Sequence, residues 1–448
     1  MGESSGKPRQ IVAVPGSRIA RFSRLAQLAG GVAGGMLAEG GKAIARGRIP
    51  RASDLLLTPA NARKVADQLA KLRGAAMKVG QLLSMDSGEL LPPELADVLA
   101  RLRSDGAEMP RQQVQTVLNR AWGKGWESRF AAFNWSPVAT ASIGQVHRAR
   151  THDGRDLALK IQYPGVARSI DSDVENVVSL LRLSRLLPAS MDLDPLVSEA
   201  KRQLRAEADY QKEAMFLQRF ADQLGDDPAF LIPTVHAEFS TRQVLVMDFI
   251  EAADIDSLAS ASITTRQRAI ASLFDLLFRE MFDFRLVQTD PNFGNYLYLE
   301  SADKVVLLDF GATRSYSMYV MQGYRDLFGG VIRRDREQTE RGARRIGYLA
   351  EDILDAQREH LLDLLWILFE PLGHSGSYHF RRHELPQRLR DSGLALSFEK
   401  NYWHSPPVDA IFLHRKLIGL YMLATRLDCP IDVNRILLDR LEASGLAA

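Results

Sequence analysis

The sequence predicts an α+β protein with two lobes, a small lobe rich in β-strands followed by a mainly helical lobe. Short β-like segments alternate with helical ones in residues 131–250, whereas helical periodicity dominates residues 251–448. The length of 448 residues also exceeds the size at which one hydrophobic core stops growing. We therefore expect four segments: a basic segment 1–52, a helical extension 53–130, and the lobes 131–250 and 251–448.

The composition is that of an ordinary globular protein, with 46% apolar and 25% charged residues. The single cysteine, Cys429, excludes an intramolecular disulfide and a zinc thiolate cluster, which favours a reducing compartment. No apolar run reaches the roughly 18 residues that span a bilayer. The net charge of +2 is unevenly distributed, because residues 1–51 hold nine Lys or Arg and two acids.

The basic segment 1–52 suits a helix that lies on an anionic lipid surface. Its apolar residues recur at helical spacing between arginines and are Ile19, Phe22, Leu25 and Ala26. A helix packed on the protein's own surface fits the same pattern equally well. We interpret the start as that of a bacterial chain without a cleaved leader, although an Arg-rich, acid-poor start also resembles an organelle transit peptide.

Glycines in the same segment would allow a second helix to approach closely. Two pairs are spaced by four residues, Gly30/Gly34 and Gly31/Gly35, as in small-xxx-small contacts. A homodimer through this segment is one expectation from that spacing.

A long amphipathic helix begins near Asn61 and carries the phrase AAMKVGQLLSMD. Its apolar residues advance by steps of four and three: Val65, Leu69, Leu72, Ala76, Val79 and Leu83. Lys78 and Gln81 are three residues apart and therefore share a helix face. The residues alone favour a Lys and a Gln that face solvent.

The first lobe contains a lysine in the middle of an apolar strand. The phrase FNWSPVATASIGQVHRARTHDGRDLALKIQYPG predicts two β-segments around a turn, with Lys160 on the face opposite Leu159 and Ile161. Such a lysine either reaches solvent or needs a partner or ligand. One long helix, LVSEAKRQLRAEADYQKEAMFLQRFADQL, follows and places Asp209 and Glu213 on one face. A hairpin of VHAEFS and VLVMDFI completes the parts of a bilobal protein-kinase-like fold.

The second lobe carries two acidic phrases, TDPNFGN and LLDFGATR. Phosphoryl transfer needs Mg²⁺, which prefers hard oxygen ligands such as those of Asn295 and Asp309. Asp290 precedes Asn295 by five residues, which is the spacing between the acid and the metal-binding Asn in a protein-kinase catalytic loop. Taken one at a time, the same residues could serve as a turn start, a turn cap and a helix N-cap.

The chain resembles the UbiB family of atypical kinases of coenzyme Q (ubiquinone) biosynthesis. The resemblance covers residues 14–428 and is closest to the mitochondrial and proteobacterial branch. The matching phrases, in order, are VPGSRIARFSRLAQLAGGVAGGMLAE, KVGQ, ATASIGQVH, ALKIQYPGV, EADYQKEA, QTDPNFGN and LLDFGATR.

The resemblance implies a role for each site residue. Lys160 would bind the α- and β-phosphates of ATP or ADP and pair with Glu213, Asp290 would be the catalytic-loop acid, and Asn295 and Asp309 would bind Mg²⁺. The hinge strand, whose backbone would contact the adenine, consists of Met247, Asp248, Phe249 and Ile250.

Two departures from ordinary protein kinases also follow from the resemblance. The helix with Lys78 and Gln81 would cross the place where a peptide substrate enters, with Lys78 reaching Glu207 or Asp209, which reverses the solvent-facing interpretation. The usual Gly-rich phosphate loop is replaced by Ala139, Thr140, Ala141 and Ser142. Their Cβ atoms should alter nucleotide affinity and the preference between ATP and ADP.

The resemblance therefore implies a Mg-dependent ATPase that supports ubiquinone biosynthesis at a membrane surface. Its expected partners are anionic lipid and biosynthetic enzymes or prenylated precursors, not nucleic acid. The expected location is the bacterial cytoplasm against the inner membrane, or the mitochondrial matrix face in a eukaryote. A kinase for a protein or small molecule, released when the KVGQ helix moves, and a nucleotide-gated scaffold are the alternatives.

Overall fold

The computed structural model describes Ala75 and residues 108–183, 194–394 and 407–443. The predicted membrane-surface segment, its glycine pairs, and the helix with Lys78 and Gln81 lie outside these residues. The described chain forms two compact units. The first contains the residues up to Ala214 together with Thr234–Phe249, and the second contains Met215–Pro233 and the residues from Ile250 onward.

The described helices and strands follow one another in this order. The helices are α1 (Arg111–Trp122), α2 (Val166–Leu183), α3 (Asp194–Glu207), α4 (Tyr210–Leu224), α5 (Ile263–Phe278), α6 (Met318–Arg333), α7 (Arg336–Ile346), α8 (Asp355–Leu368), α9 (Glu370–Gly373), α10 (Leu385–Leu394), α11 (Val408–Arg426) and α12 (Val433–Ala443). The strands are β1 (Phe130–Phe133), β2 (Ala139–Thr140), β3 (Gly144–Thr151), β4 (Asp156–Gln162), β5 (Phe230–Leu231), β6 (Val244–Asp248), β7 (Ala253–Asp254), β8 (Leu286–Gln288), β9 (Tyr296–Leu299), β10 (Lys304–Leu307) and β11 (Thr313–Ser315).

The first unit is built on an antiparallel sheet in the order β1-β3-β4-β6, with β2 paired to β3. One face of β4 supplies Leu157, Leu159 and Ile161 to the core. The other core members from this unit include Val114, Leu118, Trp126, Phe130, Val244 and Val246. Because side chains alternate along a strand, Lys160 lies on the opposite face, where it bonds to Glu213 instead of joining this core, as the alternation predicts.

The long helix predicted across residues 196–224 is wrong, because the chain forms two helices there. The helix α3 ends at Glu207 and α4 begins at Tyr210. Asp209 lies between them, and its Oδ1 accepts a hydrogen bond of 3.1 Å from the amide of Lys212. An Asp at this position satisfies an amide of the first turn, which favours the start of a new helix over the continuation of the old one. The strand residue Gln162 donates to the carbonyl of Ala208 at the break, at 2.8 Å.

The predicted hairpin before the hinge is shorter than expected. Its second arm is strand β6, which pairs with β4. Its first arm is reduced to one bridge between Val235 and Met247, after which the chain turns at His236. His236 and Thr234 instead bind the carboxylate of Asp248.

The second unit is mainly helical, as predicted, and carries two small sheets. One has the order β5-β10-β9-β7, and the other is the antiparallel pair β8 and β11. The predicted helix 266–284 is regular only as far as Phe278, after which a π turn spans Arg279–Phe284. In this unit Phe220, near the end of α4, packs 4.5 Å from Phe310 of the phrase LLDFGATR. No helix among the described residues is long and apolar enough to cross a membrane.

Candidate active site

Lys160 and Glu213 form a buried ion pair in the first unit. Lys160 Nζ lies 2.6 Å from Glu213 Oε1, and the two side chains are 10% and 1% exposed. The alternation of β4 turns Lys160 away from the core, and the start of α4 at Tyr210 puts Glu213 in a first helical turn. A helix N-terminus favours a carboxylate there, and a buried cation requires such a partner.

The small-residue loop forms a tight hairpin between β2 and β3. Ala139 and Thr140 pair with Val146 and Gln145, and the amide of Ala141 donates to the carbonyl of Gly144 at 2.9 Å.

Ser142 and Gly144 tie this hairpin to its surroundings. The hydroxyl of Ser142 donates to Glu207 Oε2 at 2.7 Å, which connects the loop to the end of α3. A Cβ at Gly144 would lie 2.4 Å from the carbonyl oxygen of Ile161, so the close approach to β4 requires glycine there.

The predicted hinge residues lie at the end of β6. Met247 is buried, and the amides of Asp248 and Phe249 donate to the carbonyls of Thr234 and Asp156 at 3.0 and 2.9 Å. Burial acts to raise the pKa of Asp248, but hydrogen bonds from His236 and Thr234 outweigh it and lower that pKa. The amides of Asp248 and Phe249 are engaged in these backbone hydrogen bonds, and the contact of the hinge with a nucleotide base stays a prediction.

Asp290 and Asn295 are joined by a hydrogen bond in the second unit. Asn295 Nδ2 donates to Asp290 Oδ2 at 3.1 Å and lies 3.4 Å from the carbonyl oxygen of the same residue. Asn292 turns the loop between them, because its Oδ1 accepts from the amide of Gly294 at 3.2 Å. The amide orientation of Asn295 directs Nδ2 to Asp290 and leaves Oδ1 as its acceptor atom.

The backbone brings Asp309 to the same place. The amide of Leu308 donates to the carbonyl of Asn295 at 3.0 Å, and Gln288 Nε2 donates to the carbonyl of Asp309 at 3.0 Å. Asp309 Oδ1 accepts from the amide of Gly311 at 2.9 Å, which fixes its side chain. Asp290, Asn295 and Asp309 are therefore grouped within one unit.

The donor set suits Mg²⁺ better than a transition metal. No cluster of three His, Cys, Asp or Glu in the described ranges could hold a metal by itself. One amide oxygen and one carboxylate, from Asn295 and Asp309, are hard ligands of the kind that bind Mg²⁺ together with substrate phosphates and water. The residues present therefore fit this ion.

Two adjacent cations on α11, not anticipated from the sequence, contact Asp290 and residues beside this group. Arg415 Nη2 lies 2.8 Å from Asp290 Oδ1. Lys416 is 2% exposed, and its Nζ donates to the hydroxyl of Tyr296 at 2.7 Å and to Gln288 Oε1 at 3.0 Å. The signal was present in LHRKLIGLYMLAT, where two cations interrupt an apolar helix.

Glu280 completes the buried cluster around Lys416. Its Oε2 lies 3.9 Å from Lys416 Nζ, and it is carried by the π turn after α5. Burial raises the pKa of Glu280 to about 7, although the Lys416 charge opposes this. Burial acts to lower the pKa of Lys416, but Glu280 and Tyr296 outweigh it and raise that pKa.

The residues predicted to receive Lys78 have partners within the first unit. Glu207 accepts from Ser142, and Asp209 caps α4. Lys78 and Gln81 are outside the described residues, so their contact with these acids stays a prediction.

Comparison with known proteins identifies the family. Residues 101–342 match the ABC1 atypical kinase-like domain. The chain is 35% identical to the mitochondrial atypical kinase COQ8 of Saccharomyces cerevisiae over 426 residues, covering 94% of this chain and 84% of that protein. It is 37% identical to the mitochondrial atypical kinase COQ8B of Rattus norvegicus over 420 residues, covering 93% and 79%.

A solved structure supports the fold. The Mycobacterium tuberculosis protein Rv3197, determined in complex with erythromycin, superposes with a TM-score of 0.59 at 24% identity, covering 86% of this chain and 97% of that one. The protein-kinase-like fold, the matched domain and the shared length agree with one another, and the chain belongs to the ABC1 (UbiB) family of atypical kinases.

Proposed function

We propose that this protein is a Mg-dependent ATPase that supports coenzyme Q biosynthesis at a membrane surface. The observation that carries the proposal is the grouping of three residues in one unit: Asp290 and Asn295 are hydrogen-bonded to each other, and the backbone contacts of Leu308 and Gln288 bring Asp309 beside them. The buried pair of Lys160 and Glu213 in the other unit supplies the second element that phosphoryl transfer needs, a desolvated cation for phosphate.

Each residue has a defined task in this proposal. Lys160 binds the α- and β-phosphates of ATP, and Glu213 holds the lysine in place. Asn295 Oδ1 and the Asp309 carboxylate would hold Mg²⁺, which would neutralise phosphate charge. Asp290 orients the attacking water and accepts its proton, while the water oxygen bonds to the γ-phosphorus, the bond to the β–γ bridging oxygen breaks and ADP leaves.

The small-residue loop favours slow or selective nucleotide use. A Gly-rich loop lets backbone amides approach phosphates closely, whereas the methyl groups of Ala139 and Ala141 occupy part of that space. We expect nucleotide affinity and the choice between ATP and ADP to differ from those of a protein kinase.

The biological role rests on the family and on the N-terminal pattern. The COQ8 relatives are mitochondrial atypical kinases by name, and coenzyme Q biosynthesis is the role that the resemblance implies. The basic segment 1–52 favours peripheral binding to anionic lipid, at the bacterial inner membrane or the mitochondrial matrix face. Biosynthetic enzymes or prenylated precursors are the proposed partners.

A kinase acting on a protein or small molecule is the second candidate, because the relatives are named as kinases. It uses the same residues and differs only in the acceptor. A nucleotide-gated scaffold without turnover is less favoured, since it would not need Asp290, Asn295 and Asp309 together.

The test is to incubate the purified protein with γ-labelled ATP, with and without anionic liposomes. Free phosphate and labelled protein or lipid are followed separately. Asp309→Asn should lower phosphate release at least about tenfold, because it removes a charged metal ligand. The matched control is Asp439→Asn, since Asp439 is an exposed partner of Arg435 on α12. Phosphate release that is equal in wild type and Asp309→Asn would refute the ATPase, and label transferred to an acceptor would establish the kinase.

A further inference from the structure

Asp290, the acid of the catalytic loop, forms its ion pair with a residue from a distant part of the chain. Residues 289–295, TDPNFGN, include no Lys, Arg or His. Arg415 of α11 instead places Nη2 2.8 Å from Asp290 Oδ1. Arg415 is 12% exposed and Asp290 is 21% exposed, so solvent screens this pair less than it screens a surface ion pair.

The two oxygens of Asp290 have different donors. Arg415 approaches Oδ1, and Asn295 Nδ2 donates to Oδ2 at 3.1 Å. Because both oxygens of the carboxylate accept hydrogen bonds, rotation about the Cβ–Cγ bond of Asp290 would break one of these contacts. Each oxygen retains a second lone pair, so Asp290 can still accept a proton-bearing group.

The same helix contacts both sides of the acid. One turn after Arg415, a Cβ at Gly419 would lie 2.1 Å from the Cβ of Pro291. The backbone of α11 therefore packs directly against the residue that follows Asp290. Lys416 donates to Gln288 two residues before the acid, and Gln288 in turn donates to the carbonyl of Asp309. Three neighbouring positions of α11 therefore brace the acid loop and, through Gln288, the metal-binding segment.

We propose that Arg415 is the positioning residue of Asp290 and that α11 sets the orientation of the reacting acid. This inference rests on the proposed function, because it assigns Arg415 to the same phosphoryl-transfer site. Arg415 acts through Asp290 and does not itself contact nucleotide. Loss of Arg415 leaves nucleotide binding in place and lowers the rate of the chemical step, since a misoriented acid aligns the nucleophile poorly.

The first measurement is steady-state phosphate release by Arg415→Ala, Arg415→Lys and Gly419→Ala. We expect kcat of Arg415→Ala to fall about 10- to 100-fold while KM for ATP changes less than about threefold. Millimolar guanidinium chloride should restore part of the kcat of Arg415→Ala. Arg415→Lys should retain an intermediate kcat because it keeps the charge but not the planar group. Gly419→Ala should also lower kcat, with Arg415 intact, by displacing Pro291.

The matched control is Arg435→Ala, on α12. Arg435 forms an exposed pair with Asp439 at 2.8 Å on the same helix, with side chains 69% and 52% exposed. Its kcat and KM should equal those of wild type. If Arg415→Ala has the kcat of Arg435→Ala, or if the KM rises in proportion to the fall in kcat, the positioning role is wrong.

A second measurement does not depend on turnover. Hydrogen–deuterium exchange of peptides within residues 286–299 should be faster in Arg415→Ala than in wild type, and unchanged in Arg435→Ala. Should wild type release no phosphate, the proposed function fails, yet this exchange still decides whether Arg415 holds the loop. Equal exchange in both variants overturns the inference. If Arg415→Ala does not fold, Arg415→Lys provides the same comparison, with unchanged loop exchange and unchanged kcat as the contradicting result.

Discussion

Buried lysines meet their acids in two different ways in this molecule. Lys160 donates directly to Glu213 at 2.6 Å, so its charge is neutralised by contact. Lys416 is 3.9 Å from Glu280 and gives its hydrogen bonds to Tyr296 and Gln288 instead. Removing either Lys160 or Glu213 should therefore lower the stability of the protein. In the second pair, the Glu280 carboxyl has no direct hydrogen bond from Lys416 and can change its protonation state with pH.

Replacing Glu213 by Gln should destabilise the protein by about 3 kcal/mol, because it leaves the buried Lys160 without a carboxylate opposite. The double variant Lys160→Met/Glu213→Gln should lose less stability than the sum of the two single variants. Urea unfolding of the four proteins measures the coupling. The exposed pair Arg435 and Asp439 serves as control and should show little coupling. Additive losses at Lys160 and Glu213 would contradict the prediction.

Glu280 should make stability depend on pH in the acid-to-neutral range. Burial raises its pKa from 4.5 to about 7, so the folded protein binds a proton there that the unfolded chain has lost. The stabilising contribution is full below about pH 4.5 and disappears as pH rises through about 7, for a change of up to about 3 kcal/mol.

The measurement compares urea unfolding at pH 5 and pH 8. Glu280→Gln should remove this part of the pH dependence, because the amide does not titrate. Glu442→Gln, an exposed change on α12, is the control. An unchanged difference between pH 5 and pH 8 in Glu280→Gln would show that the carboxyl is not the group responsible.

At the scale of elements, α6 and α7 of the second unit pack against each other at close range. A Cβ at Gly342 of α7 would lie 2.4 Å from the amide nitrogen of Leu327 and 2.6 Å from the carbonyl oxygen of Gly323. Both atoms belong to the backbone of α6 and cannot move aside as a flexible side chain would. The two helices therefore pack at a distance that only glycine allows.

Gly342→Ala should destabilise the protein by about 1–3 kcal/mol, the usual cost of overpacking, despite the better helix propensity of alanine. Thermal unfolding provides the measurement. Arg341→Ala alters the adjacent, exposed position of the same helix and should change stability little. A Gly342→Ala variant as stable as Arg341→Ala would mean that the helices can separate at no cost.

The elements differ in how far the sequence could predict them. Lys160 in its strand was predictable, because alternation is a local pattern that the strand must obey. The acid loop was predictable because Asp290 and Asn295 are five residues apart. The break at Asp209 was missed, since one capping hydrogen bond outweighs a helical pattern on both sides. The contact between Arg415 and Asp290 was missed because the two residues are 125 positions apart in the sequence. A local periodic pattern does not predict contacts between residues so far apart.

At the scale of the whole molecule, the reactivity of the single thiol, Cys429, should show whether the second unit is folded. Cys429 is 3% exposed, and its amide donates to the carbonyl of Ala424 at the end of α11. Burial raises the pKa of its thiol to about 11, so very little thiolate is present at neutral pH. Both effects protect it from reagents that attack the thiolate.

Cys429 should therefore react slowly in the native protein at pH 8 and rapidly in denaturant, where the pKa of a thiol returns to roughly 8.5. Mass-spectrometric alkylation at increasing urea concentrations gives the measurement. The modification should follow unfolding of the second unit, and Cys429→Ser provides the blank. Native protein that is alkylated as fast as denatured protein would contradict the burial of this residue.

The separation between Arg415 and Asp290 also has a consequence for the newly made protein. At about 5–20 residues per second, a ribosome needs roughly 6–25 s to add the 125 residues between the acid and its cation. During that interval the emerging polypeptide carries the complete TDPNFGN loop without the helix that braces it. Under the proposed function, hydrolysis of ATP should accordingly begin late in translation, after α11 has left the ribosome and packed against the loop.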